Sequence, residues 1–181
     1  MTAIEVVRPG MLTTLQDWPG RIGYWHVGVP PSGPMDDLSF RVGNRVLGNP
    51  EGIAGLECTR GGPALRFPDG GRVCVTGAPV GVTMDRAPVP QWQSVTVPPG
   101  GVLDIAVLTG PGMRCYLLVA GGLQEPQYLG STATFMLGTF GGHRGRPLRE
   151  GDVLTAGADP GPLNGRPARA EIGRASCRER V

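Results

Sequence analysis

Two glycine-rich segments of the chain carry the side chains best suited to chemistry. Tyrosine and histidine can transfer protons, and arginine binds a carboxylate or bicarbonate through its planar guanidinium. Adjacent glycines can expose backbone N–H groups to an anion. The first segment, residues 21–36, contains Arg21, Tyr24, His26, Ser32 and Asp36. The second, residues 140–146, contains Gly141, Gly142, His143 and Arg144.

These residue types predict one joint site that moves a proton and holds an anion. The predicted catalytic residues are Tyr24, His26 and His143. The predicted substrate-binding residues are Arg21, Ser32, Asp36, Gly141, Gly142 and Arg144, the two glycines through their backbone N–H groups. Binding residues usually lie on loops positioned by a rigid scaffold, so the two segments should meet at one side of the fold. A structural alternative stays open, in which the glycines only form turns, the arginines coat the surface and the histidines are packed.

Several familiar classes of protein are excluded by residues that the sequence lacks. All 17 basic residues are arginine, so the chain cannot form a P-loop, a Schiff base or a site of biotin attachment, because each of these needs lysine. It has no Gly-x-Ser-x-Gly, His-Glu-x-x-His or Gly-x-Gly-x-x-Gly motif. The four cysteines are widely spaced and only two histidines are present. We therefore expect no metal site.

Length and charge favour a cytoplasmic enzyme or enzyme subunit. The chain has 181 residues and a formal net charge of +2, with no basic cluster that would indicate nucleic-acid binding. Its N-terminus lacks the basic start and apolar run of a signal peptide. No apolar stretch approaches the length of a membrane span.

The elements that must position the two loops are mostly short strands. The chain has 31 glycines and 19 prolines, which fall between apolar runs, a pattern typical of a mainly β barrel or sandwich. Strands are predicted over 3–8, 13–16, 53–59, 64–67, 72–76, 80–85, 91–97, 102–108, 113–120 and 152–155. Asp69-Gly70-Gly71 predicts a hairpin turn between two of them.

One helix is predicted near residues 35–47. Pro34 suits the first turn of a helix, and Gly48-Asn49-Pro50 ends it. Helical spacing places Met35, Leu38, Val42 and Val46 on one apolar stripe. On another face, Asp37, Arg41 and Arg45 stand four residues apart and can pair weakly.

Long blocks of the sequence resemble the carboxyltransferase region of urea carboxylase, a family that also includes allophanate hydrolase subunit 2 and the C subunit of 5-oxoprolinase. The blocks include residues 7–21, 23–36 and Thr134-Phe-Met-Leu-Gly-Thr-Phe-Gly-Gly-His143. The likeness runs from about residue 4 to 155. It implies cyclophilin-like β-barrel subdomains. It also implies transfer of a carboxyl group from carboxybiotin to urea, giving allophanate.

The resemblance further implies partners. Biotin would be carried on another domain or chain and would not be bound covalently here. The partners would be biotin carboxylase and biotinyl domains, or a protein similar to allophanate hydrolase subunit 1. One alternative is a component of ATP-dependent opening of the cyclic amide 5-oxoproline. Another is a regulatory or binding subunit without catalysis.

The resemblance and the composition divide the chain into three parts. Residues 1–155 are expected to be the N-terminal part of a carboxyltransferase domain, a fragment that we expect to be inactive alone. Residues 156–170 have the composition of a linker. Residues 171–181 can be back-translated into a string that resembles a sequencing adapter, so we expect them not to be native.

Overall fold

The computed structural model describes residues 2–161, which form eleven β-strands, one α-helix and a short 3-10 helix at Trp25–Val27. The predicted mainly β fold with one principal helix is confirmed. Most of the predicted linker and all of residues 171–181 lie outside the described residues. No helix within residues 2–161 is long and apolar enough to cross a membrane.

The strands form two antiparallel sheets. The six-stranded sheet contains β1 (Thr2–Arg8), β4 (Ala64–Phe67), β6 (Val80–Met84), β7 (Ala87–Pro88), β9 (Gly101–Leu108) and β11 (Val153–Ala156). Its order is β11-β1-β4-β9-β6-β7. The five-stranded sheet contains β2 (Leu12–Gln16), β3 (Gly55–Thr59), β5 (Gly71–Gly77), β8 (Val95–Val97) and β10 (Arg114–Val119). Its order is β2-β3-β10-β5-β8.

The two sheets pack against each other around one core. Strand β9 illustrates how residues alternate between the core and the outside. Leu103 and Ile105 are buried, while Val102, Asp104 and Ala106 are more exposed. This alternation places one face of the strand inside. The core also contains Leu56 and Leu117 from the five-stranded sheet. The inner faces of the two sheets therefore share one hydrophobic core.

The predicted hairpin at Asp69-Gly70-Gly71 is wrong. Strand β4 pairs with β1 and β9, whereas β5 pairs with β10 and β8. The turn therefore carries the chain from one sheet to the other, with Gly70 at a φ of 73°. The sequence predicts the turn, but long-range pairing decides that the flanking strands separate.

The helix α1 (Asp37–Val46) covers the outer face of the five-stranded sheet. Its buried face includes Phe40, Gly43 and Val46, which pack towards β5 and β10. A Cβ on Gly43 would lie 2.6 Å from a Leu118 methyl group, so glycine permits the close approach. The predicted pairing of Arg41 with Asp37 is present, at 3.4 Å.

The apolar stripe predicted for this helix is only partly correct. Met35 precedes the helix and is 74% exposed, and Leu38 in the first turn is 59% exposed. Asp36 caps the helix by accepting a hydrogen bond from the Ser39 amide at 3.0 Å. The contact with the sheet begins only at Ser39 and Phe40, so the first turn keeps its apolar side chains outside.

Candidate functional site

Arg21 brings the two predicted loops together. Its side chain is fully buried although it is charged. Its Nε donates to the carbonyl of Tyr128 at 2.9 Å, and Nη2 donates to the carbonyls of Ser131 and Ala133 at 3.4 and 2.9 Å. The guanidinium also lies over the ring of Phe140, 4.9 Å from its centroid. The start of the first loop therefore fixes the segment that leads to the second.

The position of Arg21 differs from that expected of a residue that binds substrate at the surface. A guanidinium that is fully buried and bonded to three carbonyls cannot reach a carboxylate at the surface. Burial lowers the pKa of Arg21, and the neighbouring Asp17 carboxylate opposes that effect. In this structure Arg21 therefore makes structural contacts, and the substrate-binding role predicted for it stays a prediction.

Asp17 makes a second connection between the same segments. Its Oδ1 accepts from the hydroxyl of Ser131 at 2.5 Å. Its Oδ2 accepts from the amide and the hydroxyl of Thr132, at 2.8 and 3.1 Å. Residues more than 110 positions apart are thereby joined by one carboxylate. Asp17 therefore fixes Ser131 and Thr132, which precede the second loop.

The paired glycines differ in what they offer to an anion. The Gly142 amide donates to the Thr132 carbonyl at 2.7 Å and is therefore engaged within the chain, so its predicted role in binding an oxyanion stays a prediction. The Gly141 amide has no acceptor within residues 2–161. Both glycines have positive φ, 69° and 52°. Gly141 therefore keeps a free donor, whereas Gly142 serves the packing of the loop.

His143 lies between two carboxylates. It is only 7% exposed. Its Nδ1 is 2.6 Å from Oε1 of Glu125, and its Nε2 is 3.5 Å from Oδ1 of Asp152. Because an ionised carboxylate can only accept, Nδ1 carries the proton in the bond to Glu125. The structure places His143 in a buried polar network.

Asp152 is held by a bidentate contact. Arg146 donates to both carboxylate oxygens at 2.8 Å, and the Arg149 amide donates to one of them at 2.8 Å. The Arg146 hydrogen bonds are the largest cause of an Asp152 pKa held well below its usual range. The Arg149 amide and the charge of His143 act in the same direction.

A cavity of about 420 Å³ opens beside this network, and we name it the Arg144 cavity. Arg144 is exposed and has a φ of 58°. Tyr128 and Phe140 pack against each other in the wall, with ring centroids 4.7 Å apart and ring planes tilted by 52°. The lining includes Glu125, Tyr128, Phe140, Gly141, Gly142 and Arg144. One cavity therefore combines a carboxylate, a guanidinium and the Gly141 residue with its free amide.

The other predicted site residues lie outside this lining. Tyr24 precedes the 3-10 helix Trp25–Val27, and His26 within it is exposed. Within residues 2–161, no hydrogen bond joins either side chain to His143. Ser32 has a φ of 58°, and the Pro31 carbonyl beside it accepts from the Arg21 amide. The roles predicted for Tyr24, His26 and Ser32 stay predictions.

Asp36 belongs to a different polar cluster at the start of α1. Its amide donates to the hydroxyl of Tyr116 at 2.7 Å, and that hydroxyl donates to Glu57 at 3.1 Å. Glu57 also accepts from the Met35 amide at 2.7 Å and pairs with Arg114 at 3.3 Å. Burial raises the pKa of Tyr116. Asp36 is absent from the lining of the Arg144 cavity, and the substrate-binding role predicted for it stays a prediction.

Sequence reasoning missed Glu125, Asp17 and Glu57. A weak signal existed for Glu57, a lone charge within the apolar strand Gly55–Thr59. Glu125 and Asp17 stand in turn-rich segments, where an acidic residue is ordinary. Their partners lie 18 and more than 110 positions away, so only the fold identifies them.

Residues 27–179 match the carboxyltransferase domain family, subdomain A and B. The chain belongs to this family. It is 48% identical over 153 residues to the urea amidolyase of Saccharomyces cerevisiae, covering 84% of this chain and 8% of that protein. It is 36% identical over 156 residues to the C subunit of 5-oxoprolinase from Haemophilus influenzae, covering 86% of this chain and 50% of that protein.

Solved structures show the same fold. The crystal structure of Kluyveromyces lactis urea carboxylase aligns with a TM-score of 0.83 and 44% identity, over 88% of this chain and 15% of that one. The K. lactis urea amidolyase aligns with a TM-score of 0.86 and 43% identity, over 93% of this chain and 10% of that one. The chain thus spans half or less of these relatives.

Proposed function

We propose that the Arg144 cavity is part of a site that transfers a carboxyl group from carboxybiotin to a nitrogen of urea, giving allophanate. The observation that carries the proposal is the Glu125–His143 pair, 2.6 Å apart, at a cavity that also presents the exposed guanidinium of Arg144. Higher identity to urea amidolyase than to the C subunit of 5-oxoprolinase favours urea as the acceptor.

The reaction sets two demands on the protein. An amide nitrogen is a weak nucleophile, so a base must take its proton as it reacts. The carboxyl group is anionic, so the site must hold negative charge. The Glu125–His143 pair meets the first demand. Arg144 and the free amide of Gly141 meet the second, because a guanidinium and an N–H both donate to a carboxylate.

These donors fit the carboxyl group of carboxybiotin. Carboxybiotin, carried on another domain or chain, supplies the group to be transferred when it is bound. Arg144 would hold its carboxylate, and Arg21 would keep the Tyr128–Ala133 segment in place. The partners in this proposal are biotin carboxylase and biotinyl domains.

A second function uses the same cavity with a cyclic amide. The chain is also 36% identical, over 86% of its length, to the C subunit of 5-oxoprolinase from Haemophilus influenzae. In that case the reaction would be ATP-dependent opening of the cyclic amide 5-oxoproline, and the partner would be similar to allophanate hydrolase subunit 1.

The test is an assay of a complete enzyme that contains this chain, with urea for carboxyl transfer and with 5-oxoproline for ATP-dependent ring opening. Arg144→Leu should raise the KM for the carboxyl donor at least tenfold, because a charge-assisted contact is lost. Arg149→Leu, at an exposed arginine outside the cavity lining, is the matched control and should leave it unchanged. Turnover of 5-oxoproline in place of urea would select the second function, and equal behaviour of both variants would contradict the site.

A further inference from the structure

Glu125 is a carboxylate placed between two cavities. It lines the Arg144 cavity and also a neighbouring cavity of about 210 Å³, whose lining includes Asp17, Gln124 and Thr132. Its side chain is 16% exposed. It is the only carboxylate in the lining of the Arg144 cavity, among the residues that the structure describes. A ligand in either cavity can therefore meet Glu125.

His143 stands behind Glu125, away from the ligand. The ring is absent from the lining of both cavities. Its Nδ1 faces Glu125 at 2.6 Å, and its Nε2 is buried without a hydrogen-bond partner among residues 2–161. Oδ1 of Asp152 lies 3.5 Å from Nε2. Neither ring nitrogen is thus open to a substrate in the cavity.

We propose that Glu125 is the catalytic residue that takes the proton from the acceptor amide, and that His143 is a positioning residue that fixes Glu125. His143 donates its Nδ1 proton to Oε1, which leaves Oε2 free to accept. This inference rests on the proposed carboxyl transfer and assigns the roles within it.

The proton transfer balances. The N–H bond of the amide breaks, and an O–H bond forms at Oε2 of Glu125. The electron pair left on nitrogen forms the bond to the carboxyl carbon. The proton then passes from Glu125 to the nitrogen that the carboxyl group leaves, so Glu125 is ionised again for the next turnover.

Two pairs of variants in the complete enzyme separate the roles. Glu125→Gln keeps the size but removes the base, and should lower kcat about a hundredfold with KM changed less than threefold. Glu150→Gln, at an exposed glutamate outside both cavity linings, is the control and should have no effect.

At position 143, His143→Asn keeps an N–H donor for Glu125, whereas His143→Leu removes it. The asparagine variant should lower kcat about threefold and the leucine variant tenfold or more. If the asparagine variant loses as much as Glu125→Gln, His143 is the base and the inference fails. Normal kcat in Glu125→Gln would also overturn it, while absence of carboxyl transfer to urea by the unaltered enzyme would contradict the proposed function itself.

A binding measurement on the 181-residue chain tests the contact without turnover. The chain has two histidines, so His26→Gln leaves His143 as the only histidine ring signal in the NMR spectrum. Acetamide, as an amide probe, should shift that signal through Glu125. The shift should disappear in Glu125→Gln, and its absence in the His26→Gln chain itself would overturn the contact.

Discussion

Arg21 places a guanidinium where no solvent reaches it, and three backbone carbonyls replace the lost water. One terminal nitrogen, Nη1, is buried without a partner among the described residues. A buried donor without an acceptor is costly, so the remaining contacts must be strong enough to offset it. We therefore expect the Arg21 side chain to be needed to hold the second loop and the segment before it in place.

Arg21→Met should lower the free energy of unfolding by about 2–4 kcal/mol, because three carbonyls lose their donor in a buried place. Arg45→Met should change it by less than about 0.5 kcal/mol, since the side chain of Arg45 is 69% exposed and pairs with Glu51 only at the surface. Chemical denaturation of both variants checks the difference. Equal values would show that the contacts of Arg21 contribute little.

Both the backbone angle and the lack of space favour glycine at position 142. Its φ is 52°, and an added Cβ would overlap Oγ1 of Thr134. Gly142→Ala should therefore destabilise the fold by about 1–3 kcal/mol more than Gly130→Ala. Gly130 has a φ of 78° with open space around it, so it shares the strain but not the overlap. Matched urea titrations would reveal the difference, and identical midpoints would rule out the overlap.

Charged side chains stabilise the segment between His143 and β11. Asp152 accepts from Arg146 and from the Arg149 amide just before β11 begins. The pKa of Asp152 is held well below the value of about 3.9 for an unfolded aspartate. The carboxylate therefore stabilises the folded state above about pH 4, and this contribution is lost as the pH falls towards the folded pKa.

The free energy of unfolding should accordingly fall between about pH 5 and pH 2, and Asp152→Asn should reduce this fall. Asp69→Asn, at an exposed aspartate in a turn, provides the comparison and should keep the slope of the unaltered chain. Denaturation at a series of pH values measures it. A slope that is unchanged in Asp152→Asn would show that other carboxylates cause the dependence.

The shared core makes the two sheets one cooperative unit. Leu103 on β9 and Leu117 on β10 are both fully buried and belong to the same core cluster. Leu103→Ala and Leu117→Ala should each lower the free energy of unfolding by about 2–5 kcal/mol. Each variant should retain a single transition by circular dichroism and by tryptophan fluorescence.

Val107→Ala serves as the control for these two variants. Val107 lies on β9 but is 60% exposed, so the change should cost less than about 0.5 kcal/mol. Two separate transitions in either leucine variant would mean that the sheets unfold independently.

Much of the fold could be predicted, but much less of the site. Ala64–Phe67 has the predicted bounds, and the loop that begins at Arg21 does contact the loop that contains His143, through Arg21 and Phe140. Which atoms face a ligand could not be predicted. The side chain of Arg21 is buried against backbone carbonyls, and the Gly142 amide donates to the Thr132 carbonyl. Glu125 lines the Arg144 cavity.

The sequence by itself determined the local elements: strands from short apolar runs between glycines and prolines, α1 from Pro34 near its start and Gly48-Asn49-Pro50 at its end, and turns from glycine and proline. These depend on the preferences of neighbouring residues, which a short stretch of sequence contains. Only the tertiary structure decided that β4 and β5 part at Asp69–Gly70 and that His143 meets Glu125 and Asp152. Such contacts join side chains from separate segments, and packing of the whole chain selects them from many partners of equal local preference.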